Sequence, residues 1–300
     1  MPPSPLPIRD GLNPTKLHLP PDQPFPTVLG YLLHRFPQDE RRLREKIAAA
    51  EVVDGGGNPI TPGTLYQGRT FVYLYRDPAI EQRVPFEIDV LYRDNTLLVV
   101  DKPHFLATMP RGRYIVESAL VRLRRELNLP TLSPAHRLDR VTAGVLMLTV
   151  DPSVRGAYQT LFAKGRVRKE YQAIARFEPF LDFPITVRSR IVKERGEPRA
   201  REVPGAVNAE SRVELAAVGR RLASYRLLPA TGKTHQLRLH MNSLGLPIVN
   251  DNFYPDLLDT ANDDYTAPLQ LLARSIEFVD PLSGRARRFE TRRTLTMPLD

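Results

Sequence analysis

The chain has 300 residues, 42% of them apolar and 26% charged, enough for two domains with a sizeable core and too apolar for a disordered peptide. Lys and Arg number 43 against 34 Asp and Glu, a formal charge of +9, which favours a polyanionic partner or an anionic surface. With no cysteine, disulfides, thiolate zinc sites, iron–sulfur clusters and cysteine nucleophiles are excluded together.

Residues 1–7 lack a basic start followed by an apolar core, and the most apolar stretch, 144–150, is too short to span a bilayer. The chain therefore reads as cytoplasmic, with no membrane partner. Proline-rich residues 1–25 read as an extended or disordered segment. Thr27 caps an expected helix with Val28, Leu29, Leu32 and Leu33 inward, and Asp39 caps a second with Leu43 and Ile47 inward. Arg41, Arg42, Arg44 and Lys46 cover much of the second helix. Glycines 55–57 make a turn, and residues 64–75 form one or two small strands around Gly68. Two short helices, the second basic, with a small β segment after them resemble the S4-like RNA-binding domain. The resemblance implies such a domain over residues 26–80, with Arg41 and Arg42 on RNA.

From about residue 86 the texture changes. Residues 90–92 and 97–100 flank Asp94-Asn95 as a hairpin that ends at Lys102-Pro103. A helix is expected over 117–127, and the apolar run 144–150 reads as a strand buried on both faces. Residues 153–165 form an amphipathic helix with Ser153 as N-cap and Gly165 as the stop. In 167–175, period two puts Val167, Lys169, Tyr171 and Ala173 on one face. Residues 211–218 and 222–228 form a second hairpin. The segment 234–245 reads as a helix capped by Thr234, with Gly245 after its last turn. The fold class is therefore α+β: a mixed, mainly antiparallel sheet flanked by short helices over residues 81–300, behind a small α+β N-terminal domain. Residues 101–250 hold 26 Lys and Arg against 13 Asp and Glu, so the basic excess is concentrated there as an electrostatic footprint for phosphates.

Two constellations carry chemistry. In Pro134-Ala135-His136-Arg137-Leu138-Asp139-Arg140, an Asp beside two arginines, just before an apolar strand, is expected at the rim of a cleft as a carboxylate kept ionised by cations, either a nucleophile or base or a structural loop residue in a salt bridge. In Thr231-Gly232-Lys233-Thr234-His235-Gln236-Leu237-Arg238, a phosphate-loop reading fails because the required upstream glycine is Leu227. His235 and His240, five apart, share no face for a metal. No metal site and no cofactor is expected.

These residues resemble the RluA family of pseudouridine synthases. His136-Arg137-Leu138-Asp139 with Thr142 and Gly144 matches the catalytic stretch, the 231–240 block with Gly245-Leu246-Pro247-Ile248 matches a second hallmark, residues 97–103 match a strand ending in Lys-Pro, and Lys169-Glu170-Tyr171 matches a tyrosine segment. Ala143, Lys233 and Asn250-Asp251 with Tyr254-Pro255 depart from the usual residues. The resemblance implies isomerisation of uridine in RNA, ribosomal RNA ahead of transfer RNA. It assigns the essential carboxylate to Asp139, acting on the sugar, on the base, or as a base toward a ribose proton. It makes Arg238 the partner of that carboxylate, and a guanidinium can hold a carboxylate in two-point geometry. It makes Tyr171 the ring against an everted uracil and Arg137 the side chain that fills the vacated stack. His136, Arg140, Arg111, Arg113, Arg166, Arg168 and Lys233 are the further expected RNA contacts, and the protein is expected to be a monomer. A non-catalytic RNA-binding or assembly factor is the alternative, disfavoured because it has no chemical need for Asp139, Tyr171 and Arg238 together. A glycosidase lacks a second acid near Asp139 in sequence.

Overall fold

The computed structural model describes residues 4–78, 80–261 and 263–296. The first three residues of the segment expected at 1–25, residues 79 and 262, and the last four of the domain expected at 81–300 lie outside it. The described chain divides into two compact units. One comprises the residues up to Ile80 with Arg124–Pro130, and the other Glu81–Leu123 with the residues from Thr131 onward.

The first unit contains β1 (Thr15–Leu19), α1 (Val28–Arg35), α2 (Glu40–Ala48), β2 (Val52–Asp54) and β3 (Thr70–Leu74). Its three strands form an antiparallel sheet ordered β1-β3-β2. Helix α1 starts as the sequence predicts, because the Thr27 hydroxyl accepts the Gly30 N–H at 3.1 Å. Leu29 and Leu32 of α1, Leu43 and Ile47 of α2, and Val52 and Val72 of the sheet share one apolar cluster. The expected β segment at 64–75 is shorter than predicted. The Thr61 N–H bonds the Thr64 hydroxyl at 2.8 Å, a local turn that competes with strand pairing, and Leu65 makes only an isolated bridge to Thr27.

The second unit contains β4 (Asp89–Arg93), β5 (Leu97–Lys102), α3 (Ala119–Glu126, divided between the units), β6 (Ser133–Pro134), β7 (Ala143–Thr149), α4 (Arg155–Ala163), β8 (Arg168–Arg176), β9 (Ile185–Ser189), β10 (Ile191–Val192), β11 (Arg201–Glu202), β12 (Ala209–Val218), β13 (Leu222–Pro229), α5 (Gln236–Ser243), β14 (Leu271–Val279) and β15 (Ala286–Glu290). The main sheet runs β4-β5-β7-β14-β8-β13-β12-β9, with β15 on β14 and β6 on β7. Of its pairings, β7 with β14 is parallel. The architecture is thus α+β, mixed and mainly antiparallel, as the patterning implies. Strand β7 is buried along its whole length, and Val145 and Met147 pack on Tyr158 and Leu161 of α4. The Asp94 carboxylate builds the β4–β5 turn by accepting the Thr96 and Leu97 N–H groups, each at 2.7 Å.

Asp39 occupies the N-cap position of α2 but makes no side-chain cap bond, and two further helix starts differ from the sequence reading. Asp151, not Ser153, provides the cap before α4: its carboxylate accepts the Ser153 N–H at 2.8 Å, and Pro152 opens a 3₁₀ turn that leads into the helix. Helix α5 is entered through His235 at φ 57°, not through Thr234. No helix among the described residues is long and apolar enough to cross a membrane.

Strand β7 pairs with β14 at Gly144, which has φ +112°, and a Cβ placed there would lie 2.2 Å from the Ala273 carbonyl oxygen. Three histidines are built into the same unit. His104 Nδ1 donates to the Val141 carbonyl at 2.7 Å, His136 Nε2 accepts the Met147 N–H at 3.1 Å while its ring stacks on Phe162, and His240 Nε2 lies 3.1 Å from the Ser189 hydroxyl. Burial lowers their pKa values to about 4, about 3 and about 4 in that order.

Two outcomes follow from these contacts. Gly144→Ala should destabilise the protein by about 3 kcal/mol or more in urea unfolding, since strain and overpacking act together, and an unchanged midpoint would refute the close approach. The unfolded chain takes up histidine protons near pH 6.5, whereas the folded chain resists until about pH 4, so stability falls with pH across that window. Between pH 7 and pH 5 the unfolding free energy should drop by at least about 2 kcal/mol; a flat profile there would contradict neutral buried imidazoles.

Candidate active site

A cleft of about 670 Å³ opens over the middle of the main sheet, lined by the Asp139 loop, β8 and the segment that leads into α5. The Asp139 loop, between β6 and β7, is held from below by residues 102–108. The Thr108 hydroxyl donates to the Leu138 carbonyl at 2.7 Å and accepts the Leu138 N–H at 3.1 Å. The buried Lys102 ammonium donates to the carbonyls of Pro103 (2.9 Å), Leu106 (2.8 Å) and Arg140 (3.3 Å). Burial pulls its pKa down to about 7, against the opposing charge of Asp139. Arg140 in turn donates to the Phe105 carbonyl at 3.3 Å. The loop is closed by the Thr142 N–H on the Asp139 carbonyl at 3.1 Å. A carboxylate on a loop with this many backbone anchors is fixed before substrate arrives.

The Asp139 side chain is 28% exposed, and its Oδ2 lies 4.0 Å from Nη1 of Arg238, which is 2% exposed. The expected two-point geometry is made with a different carboxylate. Arg238 donates through Nε to Asp251 Oδ2 at 2.8 Å and through Nη2 to Asp251 Oδ1, and Nη2 also reaches Asn252 Oδ1 at 3.3 Å. Asp251 is further fixed by the N–H groups of Phe253 (2.8 Å) and Tyr254 (3.1 Å). Burial works against the Arg238 charge, but its bonds to Asp251, with Asp139 adding, raise its pKa overall. The rings of Phe253 and Tyr254 flank the guanidinium, with centroids 4.8 and 5.5 Å away. Helix α5 carries Arg238 to this point because Gln236 anchors its first turn, donating to the Glu210 carbonyl (2.9 Å) and the Ser211 hydroxyl (2.8 Å) on β12.

Tyr171 and Lys169 project from β8 into the cleft, on one face as period two implies. Burial, with the Asp139 charge adding, pushes the Tyr171 phenol up, so it presents a neutral ring. The Lys169 ammonium donates to the Thr231 carbonyl at 2.8 Å and braces the 229–235 segment.

The remaining sequence-predicted contacts separate by electrostatic pairing. Arg137 is exposed and lines the cleft. Arg111, Arg113 and Arg166 are exposed, and like Arg137 they have no carboxylate partner among the described residues. Exposed Lys233 lines the cleft, whereas Arg166 and Arg168 lie outside its lining; Arg168 is 3.9 Å from Glu277. Arg140 stacks over Tyr114, 4.8 Å from its centroid. His136 lines the cleft, but its ring is committed to Met147 and Phe162, so it offers phosphate no charge. In the first unit, Arg42 is bound to Asp77 at 2.7 and 3.1 Å and Arg41 lies 3.7 Å from Glu45, so both are compensated. Sequence reasoning passed over Asp251, Lys102 and Thr108. Lys102 stands inside a segment matched to the family and Asp251 in a pair noted as departing from it, whereas Thr108 carries no local signal.

A family model described as RNA pseudouridylate synthase matches residues 96–243. The dual-specificity RNA pseudouridine synthase RluA of Haemophilus influenzae is 33% identical over 180 residues, 58% of this chain and 81% of that protein. The tRNA pseudouridine synthase C of Haemophilus ducreyi is 32% identical over 184 residues, 57% of this chain and 75% of that protein. Among solved structures, human RNA pseudouridylate synthase domain containing 4 superposes with a TM-score of 0.54 at 24% identity, covering 69% of this chain and 88% of its own, a likeness of fold. By sequence and by fold, the chain belongs to the RluA family of RNA pseudouridine synthases, which are isomerases.

Proposed function

We propose that this protein converts specific uridines of structured RNA to pseudouridine, ribosomal RNA being the first candidate and transfer RNA the second, with Asp139 as the essential carboxylate. The observation that carries the reading is a part-exposed Asp139, 4.0 Å from a buried, fixed guanidinium and in a cleft that also holds Tyr171. In the reaction the ribose bond to N1 breaks, the base rotates, and a bond to C5 forms. C5 releases a proton and N1 gains one, so atoms and electrons balance within the substrate.

The residues divide the work. A carboxylate covered by a bound base loses water, which favours its neutral form; Arg238, charged at any working pH, offsets this. The Arg238–Asp139 separation is longer than a hydrogen bond, so the Asp139 oxygens remain free to act on the sugar, on the base, or on a ribose proton. Tyr171 offers the everted uracil an aromatic wall. Arg137, exposed beside Asp139 and without a carboxylate partner among the described residues, would occupy the vacated stack. Extrusion costs roughly a few kcal/mol, which phosphate contacts to the unpaired arginines offset.

The first unit supports an S4-like RNA-binding role for residues 26–80 through its two helices and small sheet. There the compensation of Arg41 and Arg42 argues for shape and backbone contacts over charge. Absence of cysteine agrees with a cytoplasmic protein, and the reaction as drawn needs one copy of the chain.

Incubation with unmodified total cellular RNA, followed by pseudouridine mapping, tests the reading. The wild type should create pseudouridine at defined sites, and Asp139→Asn should lower the rate by at least about 10²-fold while keeping RNA affinity and the unfolding midpoint. Identical maps from the two proteins would refute it, and the location of the sites decides between ribosomal and transfer RNA.

A further inference from the structure

We propose that a second cleft receives a nucleotide one or two positions from the target uridine in the same RNA strand, with its phosphate on Arg111 and Arg113 and its base on Leu257 and Leu258. This rests on the synthase reading above. The second cleft, about 860 Å³, shares Arg137, Asp139 and Arg238 with the first. The two therefore meet at the catalytic carboxylate, and whatever fills the second lies next to whatever fills the first.

One wall is built for phosphate. Arg111 and Tyr114 close a tight turn with reciprocal backbone bonds of 2.8 and 3.1 Å, with Gly112 at φ +59°. The turn is fixed below by the Glu81 carboxylate, which accepts the N–H groups of Ile115 (2.9 Å), Val116 (2.8 Å) and Glu117 (3.0 Å). Arg111 and Arg113 are thus carried on a rigid support, exposed and without a carboxylate partner among the described residues. Cations held this way lose little freedom when they bind an anion.

The other wall is apolar. Leu257 and Leu258 line the cleft while 50% and 56% exposed. Their loop is closed by the Leu258 N–H on the Asn252 carbonyl (2.9 Å) and by Asn252 Nδ2 on the Thr260 hydroxyl (3.3 Å). Asn252 also accepts from Arg238, so this wall is tied to the catalytic pair. Phosphates gain nothing from leucine, whereas the face of a base gains by covering it. Basic and apolar residues lining one cleft suit a nucleotide, and covalent continuity with the bound uridine supplies it at high effective concentration.

A thermodynamic cycle tests the proposal, using an RNA hairpin built around a uridine found by the mapping above and four versions of it with an abasic site at one of the two positions on either side. With wild type, one of the four should lose about tenfold in kcat/KM. The Leu257→Ala/Leu258→Ala variant should show a similar loss on the intact hairpin and less than a twofold further loss on that abasic version. Full multiplication of the two losses at every position, or wild-type indifference to all four abasic sites, overturns the second subsite and leaves the synthase reading standing. No pseudouridine in the intact hairpin with wild type overturns the synthase reading itself. An acidic peptide that binds the cleft and leaves pseudouridine formation unaffected would also overturn the nucleotide assignment.

Discussion

The buried bond between Arg238 and Asp251 is the constraint on which the site depends. An ion pair removed from water must have good geometry and satisfied neighbours to persist, and this one has both: two parallel bonds, two backbone donors on the carboxylate, and aromatic rings over the guanidinium. Its consequence is asymmetric. Arg238 is locked to Asp251 and presents only Nη1 to Asp139, the carboxylate we propose acts on the uridine, at 4.0 Å. Asp139 thereby gains a positive neighbour without having its oxygens occupied. An unanchored guanidinium would close on Asp139 and occupy its oxygens.

The same division between paired and unpaired charge runs through the molecule. On α2 the arginines are bound to Asp77, Glu45 and Glu40. Around the cleft, Arg111, Arg113, Arg137 and Lys233 have no carboxylate partner among the described residues. A formal charge of +9 therefore understates the local field where Asp139 sits. Such a field raises the encounter rate with a polyanion and weakens with salt.

Much of this was legible in the sequence where the determinants are local. The apolar run became β7, period two placed Lys169 and Tyr171 together on β8, and the Thr27 cap and the Asp94 turn formed as their chemistry implies. Asp139, Tyr171 and Arg238 were found through motif resemblance, and the fold brings all three to one cleft. Choices between neighbouring caps were less legible: Asp151 competes with Ser153 on equal chemical terms, and a left-handed His235 depends on the contacts around α5. Asp251, Lys102 and Thr108 act across separations of 13 to 38 residues, and no periodicity reports that. His136 was misleading because its place beside Arg137 in the matched motif suggests a phosphate contact, whereas its ring is spent on β7 and α4.

The most direct measurement is the single-turnover rate of pseudouridine formation by Asp251→Asn, read beside its unfolding midpoint and RNA affinity. Asn preserves the acceptor for the Phe253 and Tyr254 N–H groups but removes the charge that anchors Arg238. The account predicts a protein that still folds and binds RNA, although less stable by about 3 kcal/mol, with a rate at least about tenfold lower. A folded variant that forms pseudouridine at the wild-type rate would show that the guanidinium needs no anchor, and the central claim would be wrong.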